Sequence, residues 1–102
     1  MALKIIWSPH ALIDAEEIAA YIARDSEAYA AGMMRRFVQV IERLLLFPKM
    51  GRRVPEFDNE QIRELIVRPY RIIYRVEPQR IVIAAIVHGA RLLDRALEDR
   101  SI

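Results

Sequence analysis

Hydrophobic positions along this chain change their period from segment to segment. Leu3, Ile5 and Trp7 alternate with Lys4 and Ile6, a period of two that predicts a short strand. Ser8 then offers a side-chain oxygen to an orphan helix amide, and Pro9 is pre-set for a first helical turn, so a helix starts here. Ala11, Ala15, Ile18, Ala19 and Ile22 keep one face of it apolar, while Asp14, Glu17, Arg24 and Asp25 lie elsewhere. Ser26 restarts the helical pattern. Met34, Phe37, Ile41, Leu44 and Leu45 recur at helical spacing until Pro48 stops the run, so the two helices form an antiparallel hairpin.

Pro48, Gly51, Pro55, Asp58 and Asn59 mark residues 48–60 as a loop. Beyond it the period returns to two. Residues 62–67, 70–76 and 80–88 are rich in β-branched and aromatic side chains, and Glu77-Pro78-Gln79 is short enough to join the last two as a hairpin. With a two-residue turn at Pro78 and Gln79, Tyr70, Ile72, Tyr74, Val76, Ile81, Ile83, Ala85 and Val87 share the core face. Arg71, Ile73, Arg75, Val82, Ala84, Ile86 and His88 then occupy the other, with Arg71 opposite Ile86. Gly89 ends the last strand, and Leu92, Leu93, Ala96 and Leu97 predict a short C-terminal helix. The fold class is α+β: an N-terminal strand and an antiparallel helical hairpin packed on one face of an antiparallel β-sheet, all in a single domain over 1–102.

Composition narrows the function classes. Hydrophobic residues make up 54% of the 102, yet the longest apolar run, Ile81 to Val87, is the length of a strand and far short of the ~18 residues a membrane span needs. The start of the chain lacks the basic, apolar and small-residue pattern of an export signal, so the expected location is cytoplasmic. Without cysteine there are no disulfides, thiolate metal sites or thiol nucleophiles. The net charge of +2 is small, but residues 43–80 carry nine basic side chains against five acidic ones, and all but Lys49 of the nine are arginine. Arginine favours bidentate contacts to carboxylate and phosphate and desolvated interfaces. His10 and His88 lie in distant segments, and the adjacent Glu16 and Glu17 point in different directions on a helix, so no metal is expected. Three glycines, Gly32, Gly51 and Gly89, do not make a phosphate loop, which sets nucleotide hydrolysis aside. No cofactor and no small-molecule substrate are expected.

Trp7-Ser8-Pro9 with Ala11, Asp14, Ile18, Tyr21 and Ile22, then Pro48 with Gly51-Arg52, Arg63-Glu64, Tyr70-Arg71-Ile72 with Tyr74, and Ile86, His88 and Arg91 together resemble the ParE/RelE toxin superfamily of type II toxin–antitoxin systems. Nearly the whole chain takes part, and the branch it most resembles is ParE, the plasmid-stabilisation type. The resemblance implies that the first strand lies beside the last. It also implies a cognate antitoxin as partner, whose C-terminal segment wraps the toxin, and growth arrest as the outcome. RelE-type toxins cut mRNA on the ribosome, whereas ParE toxins are DNA gyrase inhibitors without a demonstrated nuclease site.

The two activities call for different residues. Metal-free RNA cleavage needs a base, a cation for the phosphorane charge and an acid; here the candidates are His88 as base or acid, with Arg63 and Arg71 as phosphate ligands. The RelE pattern also relies on a tyrosine near the C-terminus, and no tyrosine follows His88 in this sequence. As a binder of gyrase the chain needs no catalytic residue. The target-binding candidates are then Arg71, Arg75, His88, Arg91 and Arg95, since arginine is a common interface anchor. Three of these have a plainer role open to them: Arg71 and Arg75 as surface arginines paired with Glu64 or Glu77, His88 as a strand-end residue that hydrogen-bonds a backbone carbonyl or caps the sheet. An inactive antitoxin-binding corepressor is the remaining alternative.

Overall fold

The computed structural model describes residues 3–89 together with Leu93, Leu97, Arg100 and Ile102. Its elements are β1 (Lys4–Trp7), α1 (Pro9–Ala23), α2 (Glu27–Glu42) with a 3₁₀ turn (Arg43–Leu45), β2 (Arg52–Arg53), β3 (Ile62–Val67), β4 (Tyr70–Val76) and β5 (Arg80–His88). The strands form one sheet in the order β1-β5-β4-β3-β2. It is antiparallel except at one edge, where β1 runs parallel to β5. The first strand therefore does lie beside the last, and the residues expected to form a plain loop include the short strand β2.

Both predicted helix starts are built as the sequence requires. The Ser8 hydroxyl oxygen accepts from the Ala11 amide at 3.1 Å, and Ser26 accepts from the Tyr29 amide at 3.0 Å. Ser8 also joins layers: its amide donates to the Ile83 carbonyl at 2.9 Å, and its hydroxyl donates to the Ala84 carbonyl at 3.2 Å. Ala11 of α1 and Ala30, Met33, Phe37 and Ile41 of α2 are buried, at the spacing of one helical face. Against them lie Leu65, Val67, Tyr70, Ile72, Tyr74, Ile81, Ile83 and Ile86 from the sheet. The expected α2 face needs one correction, because the chain tightens into the 3₁₀ turn after Glu42 and leaves Leu45 45% exposed.

The β4–β5 register needs a second. Near the turn it is as expected, with Tyr74 opposite Ile83 and Val76 opposite Ile81. Between Ile73 and Tyr74 a bulge shifts it by one residue, so that Ile73 meets Ala85, Arg71 meets Val87 and Tyr70 meets His88. One extra residue reverses every later side chain. Ile86 and His88 thus move to the helix side, and Ala85 and Val87 to the opposite face. Polar groups hold the bulge: the Asp14 carboxylate accepts from the Ile86 amide at 2.9 Å, while Ser8 and Arg100 reach the Ala84 carbonyl.

The face away from the helices is not merely mixed. Val54, Ile62, Ile73, Ala85 and Val87 form a second buried cluster with Leu93 and Leu97. Leu93 is helical and its carbonyl accepts from the Leu97 amide at 3.0 Å; Leu92 and Ala96, also expected in that helix, lie outside the described residues. Arg100 then crosses the sheet edge to the helix layer, where its guanidinium grips Asp14 at 2.6 and 2.7 Å.

Candidate functional site

Arg71 projects from β4 onto the face opposite the helices, and it is 9% exposed. Its Nε donates to Glu64 at 2.5 Å, and its two terminal nitrogens donate to the two Glu56 oxygens at 3.0 Å each. Glu64, 1% exposed, also accepts from Arg52 Nε at 2.5 Å. Arg52, Glu64, Arg71 and Glu56 therefore form one alternating chain of charge across β2, β3, β4 and the loop before β3. Burial of Glu64 is tolerable because both of its oxygens are paired. The hydrogen bonds from Arg71 hold the Glu56 carboxyl below the usual carboxylate range, and the same bonds, to Glu56 first, push the Arg71 guanidinium up.

Glycine is required where this network meets the preceding loop. The Gly51 amide donates to the buried Tyr74 hydroxyl at 3.0 Å, and a Cβ at this position would meet the Glu64 carbonyl oxygen and the Tyr74 ring. Burial raises the pKa of that phenol. The Gly51 carbonyl accepts from Arg63 at 2.9 Å, and the carbonyls of Glu60 and Lys49 accept from the same guanidinium at 3.1 and 3.4 Å.

The predicted site residues are only partly brought together. Arg71 and His88 line one cleft of about 650 Å³, with Arg52, Arg68, Pro69 and Ile66 around them. Because of the bulge, His88 enters from the helix side, packed edge-on against Tyr70 with ring centroids 5.8 Å apart. Tyr70 in turn packs edge-on against Phe37 at 5.7 Å, so the predicted packing role of this tyrosine holds. Arg75 lies elsewhere, bound to Glu77 at 2.7 Å, which also accepts from Arg80 at 2.6 Å. Arg63 sits opposite Tyr74, on the helix side and towards the other end of the strands. The nuclease candidates Arg63, Arg71 and His88 thus do not converge on one point. Arg91 and Arg95 lie outside the described residues.

Sequence reasoning missed Arg68, which stands in the two-residue turn between β3 and β4 and is exposed at the cleft. An arginine at a turn between two strand patterns was the available signal. Asp14 and Arg100, 86 residues apart, gave none. Among the described residues no group of three histidine or acidic side chains could hold a metal ion, and no helix is long and apolar enough to cross a membrane.

A helical hairpin on a five-stranded sheet with a parallel N-terminal edge defines a class of small α+β proteins with solved members. A chain of the chromosomal ParDE toxin–antitoxin system from P. aeruginosa has this fold, with a TM-score of 0.70 at 20% identity over 85% of this chain and 96% of that one. No curated protein sequence matches at a significant level. The sequence profile of the ParE toxin of type II toxin–antitoxin systems, parDE, matches residues 5–93. The chain belongs to the ParE toxin family.

Proposed function

We propose that this protein is the toxin half of a type II toxin–antitoxin pair, that it inhibits DNA gyrase by binding it, and that a cognate antitoxin neutralises it. The observation that carries the reading, beside family membership, is the state of Arg71. Each of its three guanidinium nitrogens already donates to a carboxylate of Glu64 or Glu56, so it is poorly placed to take up the charge of a phosphorane, which needs donors aimed at developing charge and otherwise uncommitted. A binding surface makes no such demand. Arg71 and His88 shape the cleft, Arg52 and Arg68 extend it, and Arg75, Arg91 and Arg95 remain candidates for a wider footprint on the target.

The test is a supercoiling assay with purified gyrase, titrated with this protein in the presence and absence of saturating antitoxin. Inhibition that antitoxin reverses is the expected result. Absence of inhibition by folded protein in large excess, together with translation-dependent mRNA cleavage, would replace this reading with a ribosomal nuclease.

A further inference from the structure

Two clefts of opposite charge meet at the turn between β3 and β4. One is the arginine cleft described above. The other, of about 410 Å³, lies on the helix side between α1 and the end of β5, where Asp14, Glu17, Ile18, Tyr21 and Ile86 line it. Pro69, Tyr70 and His88 belong to both linings and form the ridge between them.

The charges left open on the two sides of this ridge differ in sign. On the helix side Asp14 is neutralised by Arg100, whereas the exposed Glu17 carboxylate makes no hydrogen bond or ion pair among the described residues. Beyond the ridge, Glu56 and Glu64 balance Arg52 and Arg71. The exposed Arg68 guanidinium is paired with no carboxylate among the described residues. Arg52 is 62% exposed along its side chain, and buried Glu64 fixes its Nε while the two terminal nitrogens keep no partner among the described residues. A guanidinium held at one nitrogen and open at the others loses little conformational freedom when it takes an anion. On the other side Tyr21, 68% exposed, stands one helical turn beyond Glu17. Its ring accepts a cation, since the Arg24 guanidinium, outside the lining, rests 5.9 Å from its centroid. A carboxylate beside an aromatic ring suits a lysine or arginine side chain.

A nucleic acid strand matches only the arginine half of this end, because its phosphates are repelled at Glu17. A protein surface that sets an acidic side chain beside a basic one matches both halves. We propose that this bipolar end is the surface that docks on gyrase, with Arg52 and Arg68 receiving an acidic side chain of the target and Glu17 and Tyr21 receiving a lysine or arginine; this rests on the gyrase reading above. The helix-side cleft thereby extends the target site beyond the arginines.

The test measures gyrase inhibition, affinity for the purified product of the neighbouring antitoxin gene, and sedimentation, for the wild type, Glu17→Lys and Arg68→Glu, each first shown by circular dichroism to be folded. Both reversals are expected to raise the half-inhibitory concentration about 10-fold and to change its salt dependence. Inhibition within about threefold of wild type in both variants overturns the proposal. So does stronger inhibition by Glu17→Lys with weaker inhibition by Arg68→Glu, the signature of a phosphate chain in the arginine cleft. Lowered antitoxin affinity with inhibition kept assigns this end to the antitoxin instead, and a wild-type dimer that either reversal dissociates with inhibition kept assigns it to a second copy of the chain. If the wild type inhibits gyrase and the reversals leave inhibition intact, the docking surface fails alone; if the folded wild type does not inhibit gyrase, the gyrase reading fails with it.

Discussion

On the helix side of the sheet, Phe37, Ile41, Leu44, Ile72, Tyr74 and Ile83 interlock at 2% exposure or less in a cluster made of apolar and aromatic side chains. On the opposite face a smaller apolar cluster shares the surface with the Arg52–Glu64–Arg71–Glu56 chain of ion pairs. The first face is closed by two whole helices. The second is closed by loop residues and a few C-terminal side chains, and it needs hydrogen-bonded charge to hold β2 and the preceding loop in place. Hydrophobic burial is indifferent to pH and largely to salt, whereas paired carboxylates are not. The same fold thus carries one face whose stability is general and one whose geometry depends on each partner of a network.

Substitutions can separate the two. Phe37→Ala should have the largest effect, about 3–5 kcal/mol of unfolding free energy by urea denaturation, through lost burial and a cavity beneath Tyr70. That loss should be the same at neutral and mildly acidic pH. Glu64→Ala leaves the buried Arg71 Nε without its acceptor while Glu56 still holds the terminal nitrogens, and should cost about 2 kcal/mol, with a cleft that no longer retains Arg52; a loss below about 1 kcal/mol would mean the network behaves as a surface ion pair. The smallest effect concerns Glu56. Its pKa in the folded protein is depressed by Arg71 below the ordinary 4.5, so its contribution is fully present above that value and disappears as pH falls through the folded pKa. Since Glu56 is 38% exposed, screening limits the contribution to under about 1 kcal/mol. Glu56→Gln should abolish that part of the acid dependence in a pH series of thermal melts, and an unchanged acid limb would remove Glu56 from the network.

Helix caps, strand alternation and the β4–β5 turn were legible in the sequence because each rests on local chemistry. Ser8 and Ser26 have the right side chain at the right position, and Tyr70, Ile72 and Tyr74 face the core at period two. The bulge was not legible. It falls within Ile81–Val87, where both faces of the strand are apolar, so a slip of one residue leaves no hydrophobic signature. What fixes it comes from Asp14, Ser8 and Arg100, all distant in sequence. The site follows the same division. The concentration of arginine in the middle of the chain was visible, and so were Glu64 and Glu77 as partners, but the placement of His88 on the far side of the sheet from Arg71 depends on the bulge.

The parallel pairing of β1 with β5 also bears on how the chain becomes a folded protein. Residues near its start acquire their strand partner only once residues 80–83 are available, and the grip of Arg100 on Asp14 spans 86 positions. Contacts of such long sequence separation slow folding, because loop closure precedes any gain from pairing. During synthesis the hairpin of α1 and α2 emerges with its apolar face still without a sheet to cover it.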